Sequence, residues 1–192
     1  MQGDLAVTGD PDADRLVNTD PLALLLAMLL DQQVPMEWAF RSPYLLRERL
    51  GGALDVATIA AMAPTELENV FKGPPALHRY PGSMAKRTQA LCQHLMDHHG
   101  GDAAALWEGA GSGAELHDRL RALPGYGPDK ARIFLALLAK RFALAPAGWE
   151  EHAGPFADDT PRSVADVDSL HKLAQVRTFK KAMKAQGKTK SD

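Results

Sequence analysis

A tight Gly/Pro turn between two leucine-rich segments constrains the fold of this chain more than any other feature. The turn spans residues 123–128 and reads Leu-Pro-Gly-Tyr-Gly-Pro. Gly125 and Gly127 permit positive φ angles and the close approach of another backbone, and Pro128 suits the first position of a helix. Apolar residues at helical spacing lie on both sides, so two helices can pack across the turn. The sequence therefore predicts two packed helices over Leu116–Arg141.

The rest of the chain is also predicted to be helical. No segment shows the apolar–polar alternation typical of a half-buried strand, and hydrophobic residues make up 45% of the chain, enough for a sizeable core. We predict an entirely buried helix over residues 22–33 and an amphipathic helix over residues 36–50. Residues 1–17 are predicted to form a flexible arm and residues 175–192 a basic C-terminal helix and tail. The main helical domain then spans residues 18–174.

Composition excludes several classes of protein. A formal net charge of -2 argues against coating nucleic acid through bulk charge, but it permits a local phosphate site. The single cysteine, Cys92, excludes an internal disulfide, a four-cysteine iron–sulfur cluster and a cysteine-rich zinc site. The longest apolar run, Leu22–Leu30, is too short to span a bilayer. We therefore expect a cytoplasmic protein with no metal site and no membrane partner.

The Gly/Pro turn has the properties of a phosphate-binding site. Unpaired N–H groups near Gly125, Gly127 and the start of the second helix would point outward, where the helix dipole favours an anion. Lys130 and Arg132 follow on that helix and can add positive charge. The alternative is an ordinary helix–helix turn, although two glycines around an aromatic residue between prolines exceed what such a turn needs.

Three segments together resemble the helix-hairpin-helix DNA glycosylases of base-excision repair. Residues 123–131, Leu-Pro-Gly-Tyr-Gly-Pro-Asp-Lys-Ala, resemble the hairpin of that family. Residues 27–34, Ala-Met-Leu-Leu-Asp-Gln-Gln-Val, resemble the buried helix and Gln-Gln motif of its 3-methyladenine glycosylase branch. Residues 156–160, Phe-Ala-Asp-Asp-Thr, resemble the segment that carries its catalytic aspartate. The resemblance covers about residues 20–174.

The resemblance implies an all-α fold with two helical lobes, a helix-hairpin-helix and a cleft between the lobes. It implies a monomeric, monofunctional DNA glycosylase, which flips a damaged base out of double-stranded DNA and hydrolyses its bond to the sugar. Bifunctional members use a lysine after the hairpin to form a Schiff base, whereas Asp129 occupies that position here. No organic cofactor is implied, and a monovalent cation held by hairpin carbonyls is compatible with the resemblance. In a bacterial cell such a protein would associate with the nucleoid.

The resemblance also implies roles for individual residues. Asp159 is the implied catalytic carboxylate, which stabilises an oxocarbenium-like transition state or activates water, and Asp158 is the alternative. Both aspartates can equally cap a following helix. The implied DNA contacts in the hairpin are Gly125, Tyr126, Gly127, Lys130 and Arg132.

Two further groups of residues are candidates for contacts with DNA. Gln32 and Gln33 are expected at the cleft mouth, where they would fill the gap left by the flipped nucleotide, or else at a solvated helix end. Trp38, Tyr80 and Trp149 are candidate walls of a base pocket because aromatic faces stack on bases, with core packing as the alternative. Three basic residues near Tyr80 are either DNA contacts or part of a solvated loop: Arg79, Lys86 and Arg87.

The sequence departs from the family pattern in two ways, which bear on the alignment of Asp159 and on the size of the second lobe. The link between hairpin and Asp159 is longer than usual, so that residues 145–154 must loop out, and few residues remain after Asp159 to complete a second lobe. The rival interpretation is a non-catalytic DNA-binding protein that keeps the hairpin and lacks the pocket. A helical scaffold that contacts only protein is a third hypothesis.

Overall fold

The computed structural model describes residues 1–189 and 191, and the regular elements of this part are helices joined by turns and loops. The α-helices of that part are α1 (Pro11–Thr19), α2 (Pro21–Leu30), α3 (Met36–Arg49), α4 (Val56–Ala61), α5 (Pro64–Lys72), α6 (Pro81–His99), α7 (Gly113–Ala122), α8 (Pro128–Phe142), α9 (Trp149–Ala153) and α10 (Leu170–Ala185). Short 3-10 turns lie at Ala104–Leu106, Gly154–Phe156 and Val164–Asp166. These residues contain no strand, so the all-α prediction is confirmed.

Helix α2 lies at the centre of the core. It is apolar on every side, and all of its residues after Pro21 are buried against neighbours that include α1, α3 and α6. Asp20 begins the helix by accepting a hydrogen bond from the Ala23 N–H. The helix ends at Leu30, earlier than predicted, and Gln33 adopts a left-handed φ of 57° just beyond it. Gln32 and Gln33 therefore lie in a turn and not on the helix.

The N-terminal segment is folded, which corrects the prediction of a flexible arm over residues 1–17. Leu5 and Val7 are buried, and helix α1 packs against α2 and α3. The buried Asn18 side chain fastens the segment, because it accepts from the Leu5 N–H and donates to the Leu5 carbonyl, both at 2.9 Å. The Asp14 carboxylate adds to this anchoring, because it accepts from the N–H groups of Val7 and Thr8.

Helices α7 and α8 pack across the turn at residues 123–127, and both lie close to their predicted bounds. The turn is fastened to α2 at two points. The buried Tyr126 hydroxyl donates to the Leu25 carbonyl at 2.8 Å. A Cβ added to Gly125, whose φ is +84°, would lie 2.6 Å from Leu29 Cδ1. The turn therefore packs directly against α2, and the position of Gly125 beside that helix favours glycine.

The C-terminal third contains one long helix. Helix α10 runs without interruption through residue 174, where the sequence placed the end of the main domain. Helix α9 lies within the segment that was predicted to loop out. Within the described part of the chain, no helix combines the length and apolar character needed to cross a membrane.

Candidate nucleic-acid interface

An open cleft of about 740 Å³ lies between the end of α2 and the start of α8. Its walls are formed by Asp31, Gln32, Gln33, Val34, Gly127, Pro128, Asp129, Lys130 and Lys180. Lys180 comes from α10, so three helices border the cleft. Two of the three segments singled out in the sequence, the Gln-Gln turn and the Gly/Pro turn, therefore meet here.

The start of α8 presents backbone N–H groups to the cleft. Gly127 is the N-cap residue and has no side chain to cap the helix. Gly127 is exposed, and a Cβ added there would meet nothing within 4 Å. The positive end of the helix dipole favours an anion at this point.

Lys130 joins the two walls of the cleft. Its ammonium donates to the carbonyls of Leu29 at 3.0 Å and Asp31 at 3.3 Å, and also to that of Met28. These carbonyls belong to the last turn of α2, where a positive charge stabilises the negative end of the helix dipole. The Lys130 ammonium is therefore part of the cleft wall, where carbonyl oxygens bind it. Arg132 lies farther along α8 and is exposed.

Gln32 is held in place by its neighbours, whereas Gln33 is exposed. The Gln32 amide donates to the Leu29 carbonyl at 2.7 Å, and its Oε1 accepts from the Arg87 guanidinium at 2.7 Å. Arg87 comes from α6, which connects the Gln-Gln turn to the basic residues near Tyr80. Gln33 is the amide that projects from this wall of the cleft.

His78 supports the same turn, although no sequence signal singled it out. It is fully buried, and its Nδ1 accepts from the Tyr80 N–H at 3.0 Å, so the ring proton lies on Nε2 and is donated to the Gln32 carbonyl at 3.0 Å. Burial, with smaller contributions from Lys130 and Arg87, lowers the pKa of His78 below its usual value of 6.5. The ring is therefore neutral near pH 7 and orients Gln32.

The three candidate pocket aromatics do not form one pocket. Trp38 and Tyr80 flank His78, with ring centroids 6.4 and 6.1 Å from its ring. Both lie outside the lining of the cleft. Trp149 lies at the start of α9, where a Cβ on Gly113 of α7 would come within 2.5 Å of its Cα. Only Trp38 and Tyr80 are thus close to the Gln-Gln turn.

The two candidate catalytic aspartates lie on a different surface. Asp159 lines a separate concavity with Lys140, Arg141, Asp166, Asp168 and Lys172. Asp158 accepts from the Thr160 N–H at 2.9 Å and pairs with Arg162 at 3.2 Å. Partial burial raises the pKa of Asp158, but hydrogen bonds from Arg162 and Thr160 bring it below the usual value. Asp158 does not cap the next 3-10 turn, whose N-cap is Ser163, but closes a turn of its own with Thr160 and Arg162.

A buried ion pair stabilises the turn that carries these aspartates. Lys140 of α8 binds Asp166 Oδ1 at 2.7 Å and also donates to the Asp158 carbonyl. Asp166 further accepts from the N–H groups of Arg162 and Ser163, each at 3.0 Å. The turn is therefore closed by its own hydrogen bonds.

The carboxylates that do line the cleft are those of Asp31 and Asp129. Asp31 directly follows α2 and precedes Gln32, and its main-chain carbonyl is one of those that Lys130 binds. The sequence placed Asp31 in a motif but assigned it no role, because nothing in that motif distinguishes its carboxylate from a helix-end residue.

In comparisons with known proteins, the chain matches no family model and no curated protein sequence.

Proposed function

We propose that this protein binds double-stranded DNA at the cleft and hydrolytically removes a damaged base, as a monofunctional DNA glycosylase. One observation carries the proposal: the Gln-Gln turn and the uncapped start of α8 border the same cleft. The α8 N–H groups would bind a backbone phosphate. Gln33, which projects from the opposite wall, would enter the duplex beside it. Helices α7 and α8 would then be the two helices of a helix-hairpin-helix.

The charges of the cleft favour binding through local contacts. Lys130 and Lys180 line it together with Asp31 and Asp129, so the side chains alone supply no large positive field. Affinity would therefore come from phosphate contacts with backbone dipoles and a few cations, and it would fall as salt increases. This agrees with a chain whose formal net charge is -2.

The contacts of Lys130 support a monofunctional reaction. A Schiff-base nucleophile must be a neutral amine with an accessible lone pair. Lys130 instead donates hydrogen bonds to main-chain carbonyls at the end of α2, which hold its ammonium in the cleft wall. Hydrolysis would need a carboxylate near the sugar, and Asp31 is the candidate that lies in the cleft beside Gln32.

A non-catalytic DNA-binding protein is the second candidate function. The observation that favours it is the position of Asp158 and Asp159, which lie on another surface and are tied to the protein's own groups. In this case the cleft would hold DNA and leave the glycosidic bond intact.

DNA binding at the cleft is tested by Gly127→Asp. An aspartate at this N-cap position can accept a hydrogen bond from a first-turn N–H group of α8, so we expect it to keep stability or raise it by roughly a few tenths of a kcal/mol. The same carboxylate competes with a DNA phosphate, and we expect affinity for a fluorescent duplex to fall about tenfold or more. Ala63→Asp is the matched control, since Ala63 is the exposed, uncapped N-cap of α5, outside the cleft. Equal affinities of the two variants would contradict DNA binding at α8.

Base removal is tested by incubating the wild type, Asp31→Asn and Asp159→Asn with damaged duplexes. The substrates contain alkylated purines, uracil, oxidised guanine or mismatches, and alkali then converts abasic sites to strand breaks. We expect product from the wild type and Asp159→Asn, and a large loss for Asp31→Asn. DNA binding without product on any substrate would establish the non-catalytic candidate. Strand breaks before alkali treatment would contradict a monofunctional reaction.

A further inference from the structure

We propose that Trp38 and Tyr80 form a stacking surface for unpaired bases of DNA, next to the cleft and separate from it. This inference rests on the proposed function, because it takes the cleft as the site that holds the adjoining duplex. The ligand is a strand with unpaired nucleotides, as in a gap, a bulge or a single-stranded extension.

The exposure of the two rings is the first observation. Trp38 is 37% exposed and Tyr80 43%, which places them among the few large hydrophobic residues that the described chain leaves in solvent. Both flank the buried ring of His78, so they are held on one surface and not scattered. The Trp38 indole N–H donates to the Ala76 carbonyl at 3.1 Å, which fixes the ring. A fixed, exposed aromatic face can stack on a base at a small cost in conformational entropy.

Positive charge accompanies these rings. The Arg79 guanidinium lies 5.4 Å from the centroid of the Tyr80 ring, an arrangement that places a cation beside a stacking face. Glu37, which precedes Trp38 in the sequence, carries a carboxylate that is paired with Arg177. Aromatic faces interleaved with arginine are typical of surfaces for single-stranded nucleic acid. The chemistry therefore favours a nucleic acid strand over an apolar protein segment.

The stacking surface is continuous with the cleft through Gln32. His78, which lies between the two rings, donates to the Gln32 carbonyl, and Arg87 donates to the Gln32 side chain. Gln32 itself lines the cleft. A strand that leaves a duplex held in the cleft would pass Gln32 and Arg87 before it reaches Tyr80 or Trp38.

The test compares two DNAs and four variants of the full chain. One DNA is an intact fluorescent duplex, and the other has the same sequence with a short bulge of unpaired nucleotides. The variants are Trp38→Ala, Tyr80→Ala, the conservative Trp38→Phe, and the control Met96→Ala, which truncates another exposed apolar side chain. We expect the wild type to prefer the bulged DNA and each aromatic-to-alanine change to weaken that binding about 5- to 150-fold. Affinity for the intact duplex should stay within about twofold, and Trp38→Phe and Met96→Ala should retain the preference.

A fluorescence measurement identifies the contact directly. Trp107 is buried, and Trp149 is only partly exposed and lies on α9, outside the stacking surface. Trp38 should therefore account for most of the tryptophan quenching that bulged DNA causes, and Trp38→Phe should remove that part. If the wild type and all variants bind the intact duplex equally well and none prefers the bulged DNA, the stacking surface is overturned and the proposed function stands. Binding of neither DNA would overturn both. Self-association that Trp38→Ala abolishes, without an effect on DNA, would make this surface a protein interface and overturn the inference.

Discussion

Two turns of this protein adjoin α8 and differ in how their polar groups are bound. The turn at residues 123–127 leaves the start of α8 without a side-chain cap and faces an open cleft. In the turn at residues 158–163, Asp158 binds Thr160 and Arg162. The uncapped, exposed start of α8 is open to water or to an anion. A turn closed by its own hydrogen bonds indicates a structural role.

Each of these two turns has a lysine of α8 close to it. Lys130 points toward α2 and holds the carbonyls that end that helix, so it fastens the cleft wall. Lys140, farther along α8, forms a buried pair with Asp166 and fastens the aspartate turn. One helix thus organises both surfaces, with an open site at its beginning and a closed turn near its end.

The largest expected effect is on stability at the closed turn. Lys140→Met leaves Asp166 buried without its cation, since the two side chains are 12% and 7% exposed. We expect a loss of about 3 kcal/mol in the free energy of unfolding, measured by urea titration. Lys172→Met, in the same concavity, is the control and should change stability by less than about 0.5 kcal/mol. A similar small loss for Lys140→Met would mean that this turn is not held by the ion pair.

The second prediction compares the two glycines of the open turn. At Gly125, alanine would adopt a positive φ and place its Cβ 2.6 Å from Leu29 Cδ1. We expect Gly125→Ala to cost about 2 kcal/mol. At Gly127, φ is -79° and a Cβ has open space. Gly127→Ala should therefore change stability by less than about 0.5 kcal/mol, and equal losses would show that the turn does not rest on α2 as described.

Local signals explain what the sequence predicted well. The glycines of the turn and Pro128 at a helix start act over a few residues, and α7 and α8 lie near their predicted bounds. The apolar character of α2 likewise predicted its burial. The end of α2 was predicted too late: the helix stops at Leu30, and its last carbonyls are bound by Lys130, which is distant in sequence.

Long-range packing explains what could not be predicted. His78 stands in a Gly/Pro-rich loop, and its role depends on contacts with Gln32 and Tyr80 that no periodicity encodes. Leu5 anchors the N-terminus through a single buried amide. The predicted catalytic role of Asp159 came from a short Asp-Thr match to a family. Such a match gives no information about the surface on which the residue lies.

The pH dependence of stability tests the cleft wall at His78. Its pKa is lowered in the folded protein, so its stabilising contribution is fully present above the unfolded pKa, about 6.5. That contribution is lost as the pH falls from there through the folded pKa. Urea titrations near pH 7.5 and pH 5.5 should show lower stability at the acidic pH.

His78→Gln isolates this contribution from other histidines. The pKa values of His94, His99 and His117 are also lowered by burial, and they change stability in the same direction. The glutamine amide can still donate to the Gln32 carbonyl but does not titrate. We expect a shallower decline between the two pH values for this variant, and an unchanged slope would mean that His78 does not link pH to the Gln-Gln turn.

The smallest expected effect separates the two neighbouring aspartates. Asp158→Ala removes the hydrogen bond to Thr160 and an Arg162 pair whose aspartate side chain is 47% exposed, so we expect a loss of about 0.5 kcal/mol. Asp159→Ala should leave stability unchanged within the error of a urea titration, because Asp159 is an exposed residue at the edge of its concavity. Neither change should alter affinity for an intact duplex, since both residues lie outside the cleft. Weaker DNA binding by Asp159→Ala alone would extend the interface from the open turn to the closed one, and the two surfaces would then act together on DNA.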